Sequence, residues 1–269
     1  MKRRKRYSAA VGRQQVVSLG DGGLTQSAFD LLTLKAGETY SGDTANFESA
    51  FVILSGSCSV SGEGFSYQNI GDRKNVFAGR PATVYLPIRT QYQYTALTDV
   101  EIAICSAEAD IKYTPVLVAP ENVKEIELGV GNWKRKAYFI IDQDMDAQRL
   151  FLGETILPPG KWAFPPHRHD VDDLPNEVDM EEIYHFRIQP QEGYGIQLCY
   201  TDDRKRDEAY LLRNGDTVLI PNGYHPVASS PVDALYMLWF MAGDQRMFLA
   251  RPEEQYRWVA QYDHFLKSQ

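Results

Sequence analysis

Two stretches of this chain repeat one another, and a tandem repeat of short β-forming segments leaves few folds open. In the first copy a turn at Ala36-Gly37 leads to Glu48-Ser-Ala-Phe-Val-Ile-Leu-Ser-Gly56 and then to Gly79-Arg-Pro-Ala-Thr-Val-Tyr-Leu-Pro87. In the second, Pro159-Gly160 leads to Glu181-Glu-Ile-Tyr-His-Phe186 and then to Gly215-Asp-Thr-Val-Leu-Ile-Pro221. The second copy is longer, and its extra length fits an acidic, turn-rich insert at 170–179. Segments 49–54, 83–86, 101–105, 194–200 and 217–220 are β-branched, aromatic or alternating, and Gly, Pro, Asn or Asp bounds them. The 16 Tyr and 12 Phe suit pleated, half-buried surfaces. The pattern predicts an all-β protein of two sandwiches or barrels. One spans 1–125 and the other 126–269, with a linker near 115–132. A short helix is expected near the C-terminus over 252–265.

Charge narrows the function. The net charge is −8, and an acidic surface repels phosphate backbones, so nucleic acid is not an expected partner. The basic run Lys2-Arg3-Arg4-Lys5-Arg6 stands apart and reads as a solvated tail. No stretch is apolar for long enough to cross a membrane as a helix. Cys58, Cys105 and Cys199 are odd in number, scattered and without a CxxC pair, which fits a reducing, cytoplasmic setting.

Four of the five histidines fall between positions 167 and 225. On a strand, His167 and His169 project from one face because side chains alternate with period two. Glu182 begins the next apolar strand and adds a hard oxygen. His225 follows the turn Pro221-Asn-Gly-Tyr. Three neutral nitrogens and a carboxylate from separate segments suit one divalent ion such as Zn, Mn, Fe, Co or Ni. His185, out of phase with Glu182, is expected on the opposite strand face, and His264 on the surface of the terminal helix.

These residues resemble the two cupin motifs, HxH with a following Glu and a Gly-x5-Pro-x-Gly turn leading to His. Two departures stand out: the Glu lies well beyond His169, and one residue separates Gly223 from His225. Both departures, and a longer match, are found in the 5-deoxyglucuronate isomerases of myo-inositol catabolism. The match includes Gly71-Asp-Arg-Lys-Asn-Val-Phe77, Arg149-Leu-Phe-Leu-Gly-Glu-Thr155, Pro158-Pro-Gly-Lys-Trp162 and Phe164-Pro-Pro-His-Arg-His-Asp170. It continues through Met180-Glu-Glu-Ile-Tyr184, Tyr200-Thr-Asp-Asp-Arg204 and Pro221-Asn-Gly-Tyr-His-Pro-Val227.

The resemblance implies a bicupin, two tandem double-stranded β-helix (jelly-roll) barrels. The N-terminal barrel is then degenerate: Thr44, Asn46 and Gln91 stand where the second copy has histidines, and Glu48 or Ser49 falls near the place of Glu182. It also implies an aldose–ketose isomerisation of a small sugar acid, 5-deoxy-D-glucuronate to 5-dehydro-2-deoxy-D-gluconate. A proton must leave the carbon next to the aldehyde and return to the aldehyde carbon, so a side chain must carry it. Glu182, Tyr184, Tyr200 and Glu154 are the candidates, and Lys161, Arg168 and Arg204 are candidate cations for the carboxylate, with Arg168 expected to point away. Three rival readings stay open: a 5-keto-4-deoxyuronate isomerase, a bicupin dioxygenase and a non-catalytic sugar-acid binding protein. Sheet edges leave room for a homo-oligomer.

Overall fold

A computed structural model describes residues 3–7 and 10–259. Two large antiparallel sheets stand back to back, and each is closed on its outer side by a smaller sheet. The first large sheet has strand order Val116–Val118, Thr83–Leu86, Phe47–Ser55, Val100–Glu108, Ser27–Leu34, Gly12–Val17. Thr39–Asp43, Gln91–Ala96, Cys58–Gly62 and Phe65–Ile70 cover it. In the second, Asp216–Ile220, Glu181–Gln189, Ala234–Ala242, Leu150–Leu157, Arg135–Ile141 and Lys124–Leu128 run in that order. Asp207–Leu212, Gly195–Tyr200 and Val227–Ser229 cover that one.

Period-two alternation distributes the apolar side chains among three cores. Along Phe47–Ser55, Phe51 and Ile53 fill the first barrel, while Ala50, Val52 and Leu54 face the second large sheet. Along Ala234–Ala242, Met237, Trp239 and Met241 fill the second barrel, while Tyr236, Leu238 and Phe240 face back. The central strands are therefore apolar on both faces, which is why they read as continuous runs in the sequence.

A pair of buried glutamates ties the halves together. Glu48, completely buried, accepts the backbone N–H groups of Gln148, Arg149 and Leu150 at 2.8, 2.6 and 2.7 Å. Glu181 does the same for Thr25, Gln26 and Ser27 at 2.7, 2.9 and 2.6 Å. Each carboxylate thus orders the start of a strand in the opposite barrel. Glu48 is the counterpart of Glu181, which leaves Ser49 as the counterpart of Glu182. Strand register agrees, since Ser49 lies opposite Leu86 and Glu182 opposite Ile220.

Two expectations need correction. The basic N-terminal run is not a solvated tail: Arg4–Arg6 is an edge strand paired with Asp216–Ile220. Arg6 forms a double contact with the buried Asp216 carboxylate at 2.8 and 3.1 Å, and Lys5 pairs with Asp21. Charge alternating with backbone pairing suits a sheet edge, where one face meets fixed acids and the other water. The C-terminal helix expected over 252–265 does not begin there. Arg251–Pro252 is a strand against His167–Arg168, Glu254–Tyr256 is a single 3-10 turn, and helical backbone starts at Trp258. The rest of that segment, with His264, lies outside the described residues.

Candidate metal centre

Inside the second barrel three imidazoles and a carboxylate converge from four local structures. His167 lies in the two-residue strand His167–Arg168. His169 is fixed where the chain returns from the acidic insert, its carbonyl accepting from Met180 N at 3.0 Å and its ring Nδ1 lying 2.6 Å from Met180 O. Glu182 stands near the start of Glu181–Gln189. His225 follows a turn whose Gly223 adopts φ 82° and donates its N–H to Asp170 at 2.7 Å. A Cβ at Gly223 would sit 2.5 Å from the Tyr200 carbonyl oxygen, so only glycine fits there.

The tautomers follow from the hydrogen bonds. Nδ1 of His167, His169 and His225 lies 2.9, 2.6 and 2.8 Å from the backbone carbonyls of Pro165, Met180 and Gly223. A carbonyl oxygen only accepts, so Nδ1 carries the proton, and in a neutral ring Nε2 is a bare lone pair. The ligating atoms of the three rings lie within 4.8 Å of one another. Oε2 of Glu182 is 3.2 Å from Nε2 of both His169 and His225. All four side chains are buried, and Nε2 of His225 makes no hydrogen bond of acceptable geometry despite that approach. Lone pairs and a carboxylate crowded together in a dry site call for a cation, and backbone acceptors behind each ring are the usual support of a metal-ligating histidine. The residues present fit one divalent ion.

The charges in the site are strongly coupled. Burial and the two neighbouring imidazoles push His167 well below the usual histidine value. Burial also disfavours the charged ring of His169, but its hydrogen bond to Glu182 and that residue's charge outweigh it, and the net shift is upward. Burial acts upward on Glu182, yet the two imidazoles outweigh it and hold the carboxyl below its usual range.

The insert that lengthens the motif braces this site. Its Glu177, completely buried, faces the guanidinium groups of Arg168 and Arg251 at 3.5 and 3.0 Å. Glu177 also accepts the N–H of Asp170, which in turn accepts the N–H of Gly223 and lies 3.7 Å from Arg168. Arg168 points away from the ligand face, towards Asp202 at 2.7 Å.

The remaining candidates divide. Tyr184 lines the cavity beside Glu182 and His225, its ring 5.8 Å from that of His225. Burial and the adjacent Glu182 hold its hydroxyl well above the usual value, so it stays protonated. Tyr200 does not line this cavity; its hydroxyl donates to Glu253 at 2.5 Å and Arg204 stacks on its ring. Glu154 is also misplaced as a proton carrier. Thr155 faces the cavity, so its neighbour Glu154 faces the other barrel, where Arg73 grips it at 2.6 and 2.9 Å. Tyr236 donates a third hydrogen bond to it at 2.6 Å. His185 faces away as expected, bonded to Thr217 at 2.8 Å. In the first barrel Thr44 donates to the Pro87 carbonyl, Ser49 meets Ser106, and Asn46 and Gln91 are exposed.

One residue was missed. Arg135 opens the strand Arg135–Ile141 and lines the cavity together with Ala137 and Phe139. The signal was a basic residue in period-two phase with two apolar ones. It lies just past the expected linker near 115–132, and a charge beside Trp133 and Lys134 reads as loop.

Two back-to-back β-barrels with a buried histidine–carboxylate set in the second define a bicupin. Oxalate decarboxylase of Lactobacillus farciminis shares this fold at TM-score 0.68, with 13% identity, 100% of this chain covered and 93% of that one. The chain belongs to the KduI/IolB family, whose model matches residues 3–259. An IolB-like protein from Salmonella typhimurium is 32% identical, with TM-score 0.93 over 97% of this chain and 100% of that one. The 5-deoxy-glucuronate isomerase of Geobacillus kaustophilus is 37% identical over 86% of this chain and 84% of its own. That of Bacillus subtilis strain 168 is 31% identical over 90% and 91%.

Proposed function

We propose that this protein isomerises 5-deoxy-D-glucuronate to 5-dehydro-2-deoxy-D-gluconate, an aldose–ketose conversion within myo-inositol catabolism. One divalent ion is held by His167, His169, Glu182 and His225, and the first barrel serves packing and shape. The observation that carries this is three buried histidine rings whose ligating atoms lie within 4.8 Å of one another, two of them 3.2 Å from the Glu182 carboxylate, in a chain that matches curated isomerases over most of its length. When bound, the ion supplies Lewis acidity to the sugar carbonyl and its neighbouring hydroxyl.

The chain's own residues supply the rest. Glu182 and Tyr184 are the cavity-lining groups, besides the histidines, able to hold the migrating proton. Glu182 is held ionised and so accepts; Tyr184 is held protonated and so donates. Phe139, Phe164, Trp239 and Phe248 wall the cavity and keep water from competing for the proton. Tyr184→Phe is expected to slow turnover by about 10²-fold, within the usual range for a positioned proton carrier, with metal content unchanged.

The decisive assay incubates protein loaded with Zn, Mn, Fe, Co or Ni with 5-deoxyglucuronate in D₂O and follows deuterium entry and product by NMR. Failure to turn over with every ion overturns the proposal. Oxygen consumption would point to a dioxygenase, and tight binding without turnover to a binding protein.

A further inference from the structure

Beyond packing and shape, the first barrel keeps an opening of its own. A cavity of about 200 Å³ lies over the strands Ser27–Leu34, Phe47–Ser55 and Val100–Glu108. It is at the end of the barrel that carries the metal centre in the second copy. Ser49, the counterpart of Glu182, lines it, and so does Thr44, which stands where the second copy has a histidine. A water takes roughly 30 Å³ in the liquid, so the space suits a molecule several waters in size.

The lining is two-sided. On its polar side Asp30 is 2% exposed, and Arg13 holds its Oδ2 through Nε and Nη2 at 3.1 and 2.5 Å. Oδ1 of Asp30 makes no hydrogen bond. On the neighbouring strands the buried hydroxyls of Ser49 and Ser106 lie 2.8 Å apart. Two hydroxyls joined by one hydrogen bond keep one proton that the bond does not use, and neither side chain has another partner. Register sets Ser106 opposite Ala28 and Asp30 opposite Ile104, which makes Asp30 and Ser106 diagonal neighbours on one sheet face. Such neighbours stand roughly 7–8 Å apart, so one small molecule can touch both. The other side is apolar, with Phe47, Phe51 and the ring of Tyr92.

We infer that this cavity binds a neutral polyhydroxyl molecule about the size of one sugar ring, between the Ser49–Ser106 pair, Asp30 and the aromatic side chains. A sugar hydroxyl both donates and accepts, so one ring can give a proton to the Asp30 carboxylate and take one from the serine pair. Its C–H face then rests on the apolar side. Charge selects against the alternatives. Asp30 cancels Arg13, and the exposed Asp43 leaves the lining net negative, so an anionic sugar acid is repelled. A divalent ion would face Arg13 and meet hydroxyls, where borderline ions take imidazole or thiolate. This cavity therefore takes a different class of ligand from the metal centre, and the inference does not depend on the isomerase reading.

The test titrates D-glucose and D-glucuronate, which share a ring and differ in charge, into metal-loaded protein by calorimetry. The proteins are wild type, Ser106→Ala and Ala28→Leu, since Ala28 lines the cavity and a leucine there fills it. Wild type is expected to bind D-glucose in the millimolar range. Ser106→Ala should weaken this about 3–10-fold, as for one lost neutral hydrogen bond, and Ala28→Leu should abolish it. Metal content and circular dichroism should match wild type in both variants; if Ala28→Leu misfolds, Ser106→Ala decides alone. D-glucuronate binding that survives Ala28→Leu belongs to the metal centre. His169→Ala, stripped of metal, should still bind D-glucose as wild type does. The inference is overturned if wild type does not bind D-glucose or if the variants bind it unchanged. It is equally overturned if D-glucose binding disappears with the metal, or if Ala28→Leu reduces D-glucuronate binding as much as that of D-glucose.

Discussion

Replacing Glu154 with Gln separates a structural role from a chemical one. The Arg73 guanidinium and the Glu154 carboxylate are 2% and 0% exposed and meet at 2.6 Å. Arg73 also donates Nε to the Ile53 carbonyl at 2.9 Å, so the cation cannot swing out to water without giving up that bond as well. Gln keeps the shape and removes the charge, leaving a buried guanidinium against a neutral amide. Removing one partner of such a pair costs about 3–5 kcal/mol, a large part of an ordinary stability of ~5–15 kcal/mol. Both halves share this contact, so urea unfolding followed by circular dichroism, which reads the strands of both barrels, should show the whole transition moving to lower denaturant. Metal content and turnover per folded molecule should stay within about twofold of wild type, as for changes remote from the chemistry. Pairing Glu154→Leu with Arg73→Met should recover much of the loss, because no charge is then stranded. Turnover slowed by about 10²-fold or more, with an unmoved unfolding midpoint, would refute this reasoning and return Glu154 to the reaction.

His169→Ala is expected to remove bound metal while the first barrel's strands persist; elemental analysis and circular dichroism check this, and retained metal would contradict the ligand set. The raised value of His169 gives metal affinity a definite sign with pH. Its proton, shared with Glu182, stabilises the metal-free fold below the unfolded value of 6.5 and is lost as pH rises through the raised folded value. Metal must displace that proton, so affinity measured against a competing chelator should rise with pH up to the raised folded value and level off beyond it; a flat profile would contradict it. Exchanging Arg4, Lys5 and Arg6 for Gly and Ser should bare the edge of the Asp216–Ile220 strand and strand the buried Asp216. The expected result is a lower melting temperature and faster aggregation by light scattering, whereas a solvated tail would leave both unchanged. Glu181→Ala should cost on the order of 2–5 kcal/mol, since three backbone N–H groups lose their acceptor, and a shift within error in urea would sink that accounting.

The sequence by itself determined what depends on local pattern. Strand Thr83–Leu86 and the strand around 217–220 were legible because β-branched runs between Gly and Pro leave the backbone little choice. The histidine set was legible because period two puts His167 and His169 on one face and a turn with an obligatory glycine delivers His225. Tertiary structure decided what depends on facing partners. Glu154 and Thr155 differ by one position, but which of them looks into the cavity is set by the register against Ala234–Ala242 and by Arg73 waiting in the other barrel. Arg4–Arg6 reads as a solvated charge run until Asp216 stands opposite it. Arg135, just past the expected linker, reads as a loop charge until the sheet closes and sets it over the Phe164 ring. A charged side chain takes its meaning from the groups that meet it, and those groups lie far away along the chain.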